Sequence, residues 1–423
     1  MTDHPDFNMQ FKPMTGEPNL YRKAFTLNGI KQEVFVGQYV DDCLVAASSQ
    51  EALDWFMSHL SKRFPVNPSS SGEITTEKPG LLLSMQVSYD RTHGVLRFNQ
   101  QRSIEALAAK FELNDLKLAK LLPIAPDTEL PKLAVAEDPS FPSIYLSIVG
   151  SCLHICQVSR PDCAYAIGVL SRHSATPGVV HMEAAKDLVK YLYTTRHLCI
   201  EYRSTNSTTA NSPQVYERSH HPHDTEVGEW TTDMSELYRF TPPPRTIEQR
   251  INDEQPPVYH PNHPTTFIDA DLGGDKPTRK STSGMVVMMN GGPVTWCSRL
   301  QKLCALSSAE AEINAVVDSV KEALHIKLLC EESDIRPPNL PMEIFEDNNA
   351  CIHMGHNLRG SQQAKHYELR LRFLNDQIHD KSIEFTRVAT TNQLADGFTK
   401  PLPLGKFRMF RKWMLVNPKD PTI

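Results

Sequence analysis

Apolar and polar positions alternate in short stretches of the first hundred residues, and this pattern predicts β-hairpins. Apolar stretches at 33–36 and 43–47 flank the acidic turn Tyr39-Val40-Asp41-Asp42, which predicts a hairpin with carboxylates at its tip. The stretches 81–87 and 94–98 predict a second hairpin. A helix is predicted between them, because apolar residues recur at helical spacing at Leu53, Phe56, Met57, Leu60 and Phe64.

The second half of the chain alternates strand and helix patterns. A turn at 290–293, rich in residues that tolerate positive φ, separates two apolar stretches and predicts another hairpin. Ser307 and Glu310 fit a capping box, so a helix is expected to begin there. The buried stripe of that helix is predicted at Ile313, Val316, Val317, Val320 and Leu324.

Four carboxylates follow these elements at positions that suit one site. Asp269 and Asp347 lie at strand ends, Glu312 lies near a helix start, and Asp396 lies in a later segment. Strand ends and helix starts that meet at one edge of a sheet bring such side chains together. Phosphodiester hydrolysis by in-line attack uses two divalent cations roughly 4 Å apart, and hard cations prefer oxygen ligands. The pattern therefore predicts a two-metal nuclease site.

Two of these positions have a neighbouring alternative. Glu310 and Glu312 fall on opposite edges of the helix stripe, so amphipathicity alone does not choose between them. Strand alternation likewise places Asp269 and Asp271 on the same face. The residues by themselves leave both choices open.

Six sequence blocks in this half occur in a characteristic order, at 269–271, 279–284, 292–296, 305–312, 346–350 and 393–403. Together they make residues 263–404 resemble the ribonuclease H domain of copia-type LTR retrotransposon polyproteins. The resemblance implies a mixed five-stranded sheet with flanking helices, and hydrolysis of the RNA strand of RNA–DNA hybrids. It implies two Mg²⁺ ions, with Mn²⁺ as a substitute, and favours Asp269 over Asp271 and Glu312 over Glu310. The implied ligands are Asp269, Glu312, Asp347 and Asp396.

The turn at 39–42 is similar to the catalytic hairpin of reverse transcriptases, and blocks between 81 and 192 resemble the thumb and connection of the same elements. Only 38 residues precede Tyr39, and the family's first catalytic aspartate should lie upstream of them. We therefore expect Asp41 and Asp42 to be a polymerase remnant, and DNA synthesis by this chain to be lost.

The chain is expected to combine α/β and α+β folds in five regions. These are a truncated reverse-transcriptase palm remnant at 1–64, a thumb- and connection-like region at 65–203, a disordered linker rich in Pro, His, Ser and Thr at 204–262, a ribonuclease H-like domain at 263–404 and a basic C-terminal tail at 405–423. The linker is predicted because its stretch shows little apolar periodicity. Three histidines within it, at 220, 221 and 223, have no Cys partner at zinc-site spacing.

Composition bears on the setting of the protein. Nine Cys without a CxxC pair predict reduced thiols in an intracellular protein, with cytoplasm and nucleus not distinguished. No run of about 18 apolar residues or signal-peptide core occurs, so no membrane association is expected. The net charge is −6, yet residues 357–423 hold twelve basic and six acidic residues, which suits a phosphate backbone. The sequence does not specify an oligomeric state.

Nucleic acid, and an RNA–DNA hybrid in particular, is the expected partner. Arg279, Lys280 and Lys302 are predicted phosphate contacts, although surface charges of this kind are common. His366 fits either a structural or a catalytic histidine. Two functional hypotheses remain, an active nuclease and a non-enzymatic relic that keeps the fold and binds nucleic acid, and the intact carboxylate set favours the nuclease.

Overall fold

Three β-sheets and ten α-helices make up the part of the chain that the computed structural model describes, residues 9–65, 73–204, 262–336, 340–356 and 368–418. The predicted linker at 204–262 lies outside the described residues except for its first and last residue. The histidines at 220, 221, 223 and 366 also lie outside them.

The N-terminal unit is an antiparallel sheet with one helix packed on it. Its strands β1 (Lys12–Pro13), β2 (Leu20–Leu27), β3 (Ile30–Tyr39) and β4 (Asp42–Ala47) pair in sequence order. Helix α1 (Gln50–Ser61) begins where the Ser49 side chain accepts a hydrogen bond from the Ala52 amide. Tyr39 pairs with Asp42 across the β3–β4 turn, which confirms the predicted hairpin.

The middle unit joins a second antiparallel sheet to four helices. Its elements are β5 (Gly80–Leu82), β6 (Met85–Asp90), β7 (Val95–Asn99), α2 (Gln101–Lys110), α3 (Phe141–Val158), α4 (Ala164–Ser171), α5 (Val179–Thr194) and β8 (Ile200–Arg203). By length and composition alone, α3 is apolar enough to cross a membrane. One side of α3 packs in the core, where Tyr145, Ile148 and Cys152 are fully buried among α2, α4 and α5. A third of the helix is buried in this way.

The third sheet has five strands and is mixed, as predicted. Its elements are β9 (Thr265–Ala270), β10 (Thr282–Met289), β11 (Gly292–Leu300), α6 (Ser308–Glu332), β12 (Met342–Glu346), α7 (Asn349–His356), α8 (Glu368–His379), β13 (Ile383–Arg387), α9 (Asp396–Thr399) and α10 (Leu404–Met414). The spatial order is β11-β10-β9-β12-β13. Strand β12 runs parallel to both β9 and β13, whereas β10 is antiparallel to its two neighbours.

Both faces of this third sheet are buried, each against different helices. On one face Ile268 and Ile344 pack with α6, α7 and α8. On the other face Phe267 stacks on Phe345 at 4.7 Å, and both belong to the same core as α2 to α5 and α10. The boundary predicted between 65–203 and 263–404 therefore does not separate two cores.

The region predicted as a basic C-terminal tail at 405–423 begins with a helix. Residues 404–414 form helix α10, and its Phe407, Phe410 and Met414 are buried in the shared core. Val416 then pairs with Cys199 of the middle unit. The physical reason is that the apolar residues recur at helical spacing, so the basic side chains occupy only the opposite side.

The two ends of the region 205–261 meet at one residue. The Arg203 amide donates to the Asn290 carbonyl oxygen at 2.9 Å, and the Asn262 amide donates to the Asn290 side-chain oxygen at 2.7 Å. Asn290 lies in the β10–β11 turn with φ +52°. The chain thus leaves and re-enters the described fold at neighbouring points.

Candidate metal centre

Three elements bring three carboxylates to one edge of the mixed sheet. Asp269 is the penultimate residue of β9, and Asp347 directly follows β12. Because β9 and β12 are parallel neighbours, their carboxyl ends meet. Glu312 lies in the second turn of α6, which begins where Ser307 accepts a hydrogen bond from the Glu310 amide at 3.1 Å. One oxygen from each of the three carboxylates lies within 4.8 Å of the others.

Asp269 is held from behind by the short helix α9. Its side chain is buried, and the Thr399 hydroxyl donates to its Oδ2 at 2.5 Å. Gly284, directly opposite Asp269 in β10, permits this approach, since a Cβ there would lie 2.8 Å from the Ala395 carbonyl oxygen. Burial raises the pKa of Asp269 to about 7, and the negative charge of Asp396 adds to the effect.

Glu312 has an oxygen without a partner. Its side chain is 5% exposed, and among the described residues Oε2 accepts no hydrogen bond. Burial, together with the charges of Glu346, Asp269 and Asp347, raises the pKa of Glu312 to about 11. A buried carboxyl with a free oxygen that faces other carboxyls is suited to a cation, since a cation offsets both burial and repulsion.

Glu346 is a further carboxyl of this edge that the sequence reasoning missed. It is fully buried, its Oε1 accepts from the Asn348 amide at 3.0 Å, and its Oε2 has no partner among the described residues. Burial holds the pKa of Glu346 well above its usual range. The available signal was strand alternation, because Glu346 is in phase with Met342 and Ile344 on the α6 side of β12.

Asp347 is half-buried, and it interacts electrostatically with Asp396 as well as with the other two carboxylates of the group. Burial raises its pKa, while a hydrogen bond from Thr390 and the charge of Lys400 act in the opposite direction. The repulsive neighbour is Asp396. Asp347 is therefore the most accessible of the three clustered carboxylates.

Asp396, the fourth predicted ligand, is at the same edge but outside the group of three. It begins α9, and Lys400 Nζ lies 2.6 Å from its Oδ1. Its charge still reaches the group, since it raises the pKa of both Asp269 and Asp347. Lys400 was not among the predicted site residues, although it belongs to the block at 393–403.

The two alternatives that local patterns left open have other partners here. Asp271 accepts a hydrogen bond from the Thr282 amide and so closes the loop after β9. Glu310 accepts from the Leu306 amide at 2.8 Å, which makes it a capping residue of α6. Neither belongs to the group of three carboxylates.

The other predicted site residues lie on exposed segments. Arg279 and Lys280 are in the loop between β9 and β10, and Lys302 follows β11. Asp41 and Asp42 are exposed at the β3–β4 turn, and within the described residues they join no group of three metal-binding side chains.

No family model and no solved structure matches this chain. Among curated proteins, a "Secreted RxLR effector protein 161" of Plasmopara viticola is 30% identical over 180 residues, which are 43% of this chain and 89% of that protein.

Two similar proteins cover nearly the whole chain. The "Retrovirus-related Pol polyprotein from transposon TNT 1-94" of Nicotiana tabacum is 24% identical over 401 residues, 94% of this chain and 25% of that polyprotein. The corresponding polyprotein from transposon RE1 of Arabidopsis thaliana is 26% identical over 400 residues, 94% of this chain and 23% of its own length. The chain spans about a quarter of these curated relatives. Copia-type retrotransposon Pol polyproteins are thus 24–26% identical to this chain over 94% of its length.

Proposed function

We propose that this chain is a divalent-metal nuclease that hydrolyses the RNA strand of RNA–DNA hybrids. The observation that carries the proposal is the group formed by Asp269, Glu312 and Asp347, whose oxygens lie within 4.8 Å of one another. The relatives are named Pol polyproteins of transposons, which supports a nucleic acid as the substrate.

The chemistry of the group fits Mg²⁺ or Mn²⁺. All three members offer carboxylate oxygens, and the group contains neither the Cys nor the His that zinc favours. The unpartnered Oε2 of Glu312 is buried beside acidic neighbours, an arrangement that costs free energy unless a cation or protons neutralise it. When bound, such ions activate water and stabilise the leaving oxygen of a phosphodiester.

The residues of the chain itself set the geometry and the proton balance. Thr399 donates a hydrogen bond to Oδ2 of Asp269 and so fixes the orientation of that carboxyl group. Because Asp269 and Glu312 have raised pKa values, both release protons when they take up a cation. Cation uptake is therefore expected to strengthen as pH rises.

Contacts to the substrate backbone are proposed for Arg279, Lys280 and Lys302. Arg279 and Lys280 follow Asp275, which is held by an ion pair with Arg172 of the middle unit at 2.7 Å. This anchor fixes the β9–β10 loop near the carboxylates while the Arg279 side chain stays exposed. Side chains of this kind position a phosphate backbone without reading its sequence.

The test is Mg²⁺-dependent cleavage of a labelled RNA–DNA hybrid by the full chain and by Asp347→Asn. The substitution keeps shape and removes one charge, so cleavage is expected to fall at least about a hundredfold. Asp376→Asn, at an exposed position of α8, is the matched control and should cleave like the parent chain. Thermal unfolding of each sample establishes that the fold is retained.

Two results would contradict the proposal. Retained cleavage by a folded Asp347→Asn protein would mean that the active site lies elsewhere. Binding of the hybrid by the parent chain without any Mg²⁺- or Mn²⁺-dependent cleavage would favour the non-enzymatic relic instead.

A further inference from the structure

Lys400 places a positive charge inside the acidic edge of the sheet. Its Nζ lies 2.6 Å from Asp396 Oδ1, across the short helix α9. Its charge also opposes the raised pKa values of Asp269 and Asp347. The Lys400 ammonium group therefore forms an ion pair with Asp396, the carboxylate outside the group of three.

An ammonium ion and a divalent cation compete for the same carboxylate oxygen. Both need Asp396 in its ionised form, and two cations close together on one side repel each other. The Lys400 side chain is 44% exposed, whereas that of Asp396 is 13% exposed. Lys400 thus has solvent into which it can move, while Asp396 stays fixed at the edge.

We propose that Lys400 is a built-in cation that occupies the second metal position of this site through Asp396. This inference rests on the proposed nuclease function. In it, Asp269, Glu312 and Asp347 bind one divalent ion tightly. A second ion is bound through Asp396 only after Lys400 leaves that carboxylate. Lys400 is then a positioning residue that sets how many ions the free protein holds.

The test counts Mn²⁺ bound to the full chain, by electron paramagnetic resonance of free Mn²⁺ and by calorimetry, with no substrate present. The parent chain is expected to bind one ion tightly and a second weakly. Lys400→Met should tighten the second ion at least about tenfold, because it removes the competing charge. Lys400→Arg keeps the charge and should bind like the parent.

Two control experiments test whether the tighter binding of the second Mn²⁺ depends on Asp396. Lys31→Met removes an exposed ion pair with Glu33 in the N-terminal sheet, and should leave Mn²⁺ binding unchanged. In an Asp396→Asn background, Lys400→Met should no longer tighten the second ion, since the shared carboxylate is gone. Thermal unfolding of each variant shows whether it is folded.

The outcomes separate this inference from the nuclease proposal. One tight ion in the parent chain with an unaltered second ion in Lys400→Met overturns the role of Lys400 and leaves the metal centre standing. A tightening that persists in the Asp396→Asn background also overturns it. No Mn²⁺ bound by the parent chain overturns both.

Discussion

Glu312→Gln is expected to stabilise the metal-free protein, and to do so more strongly as pH rises. The carboxyl is 5% exposed and its pKa is raised from 4.5 to about 11, mainly by burial. At neutral pH it is therefore protonated in the fold and ionised in the unfolded chain. A glutamine resembles the protonated form and needs no proton to fold.

The magnitude follows from proton linkage. A carboxyl whose pKa is higher in the folded state favours folding below its unfolded pKa of 4.5, and this advantage is lost as pH rises toward its folded pKa. Each pH unit above 4.5 corresponds to about 1.4 kcal/mol, so the cost at pH 7 reaches about 3 kcal/mol. At pH 5 it is below about 1 kcal/mol. Because Glu346 and Asp269 titrate together with Glu312, part of this cost belongs to them. The smallest increase in the free energy of unfolding that agrees with the reasoning is therefore about half of the cost at pH 7.

The assay is urea unfolding in EDTA at pH 5 and pH 7, followed by tryptophan fluorescence, to which Trp296 and Trp413 contribute from the part of the fold that contains the mixed sheet. Glu310→Gln is the matched control, because Glu310 lies two residues before Glu312 in α6 but caps the helix. It should lose a few tenths of a kcal/mol at most, without growth between the two pH values. Equal effects of the two substitutions, or a loss of stability at pH 7 in Glu312→Gln, would refute the reasoning.

Three other substitutions test the support of the site. Arg160→Met is expected to destabilise the fold by about 3–5 kcal/mol, because Asp162 then loses its 2.7 Å ion-pair partner while buried. Urea unfolding measures this, and a loss below about 1 kcal/mol would contradict it. Gly284→Ala is expected to cost about 1–3 kcal/mol and to weaken Mn²⁺ binding, because its Cβ pushes α9 away from β10. Unchanged calorimetric binding would mean that α9 does not hold Asp269. Thr399→Val removes a donor from that carboxylate, so its pKa rises and Mn²⁺ binding should need higher pH. A binding titration over pH checks this, and an unmoved midpoint would disprove it.

Local patterns were sufficient to predict two elements, one in the N-terminal unit and one that carries the site. The alternation around 39–42 predicted a hairpin, and the capping residues at Ser307 and Glu310 marked the start of α6. Both signals are local, since they depend on residues within a few positions of each other. The ends of strands and helices predicted that carboxylates meet at one edge, but the family resemblance was needed to favour Asp269 over Asp271 and Glu312 over Glu310.

Partners from distant segments decided the rest. Asp271 is excluded from the group by the Thr282 amide, a contact that strand alternation does not reveal. Glu346 was overlooked because a charged residue at a buried position makes sense only once its neighbours from α6 and β9 are known. Lys400 reaches the site through α9, and the packing of that helix on Gly284 depends on tertiary contacts.

The sequence contains a pattern that indicates the shared core, but the domain prediction did not use it. Two apolar residues follow each other in β9, at Phe267 and Ile268, and again in β12, at Ile344 and Phe345. Consecutive apolar residues are typical of a strand buried on both faces, and the second face needed a cover. Most of the helices that supply it, α2 to α5, lie before residue 205, so sequence proximity pointed to two domains.

Arg203 and Asn262 are both hydrogen-bonded to Asn290, so the polypeptide can be divided between these two residues. The cost of joining two fixed ends grows only slowly with the number of residues between them, so the insertion at this point can change in length without disturbing the core. Two separately synthesised pieces, one ending and one beginning at that point, would still share Phe267, Phe345 and the helices α3 to α5 as one interior. The half that contains the mixed sheet would by itself expose that interior to water, which makes it a poor candidate for separate expression. Co-expression of the two pieces is therefore the practical route to a split form of this protein.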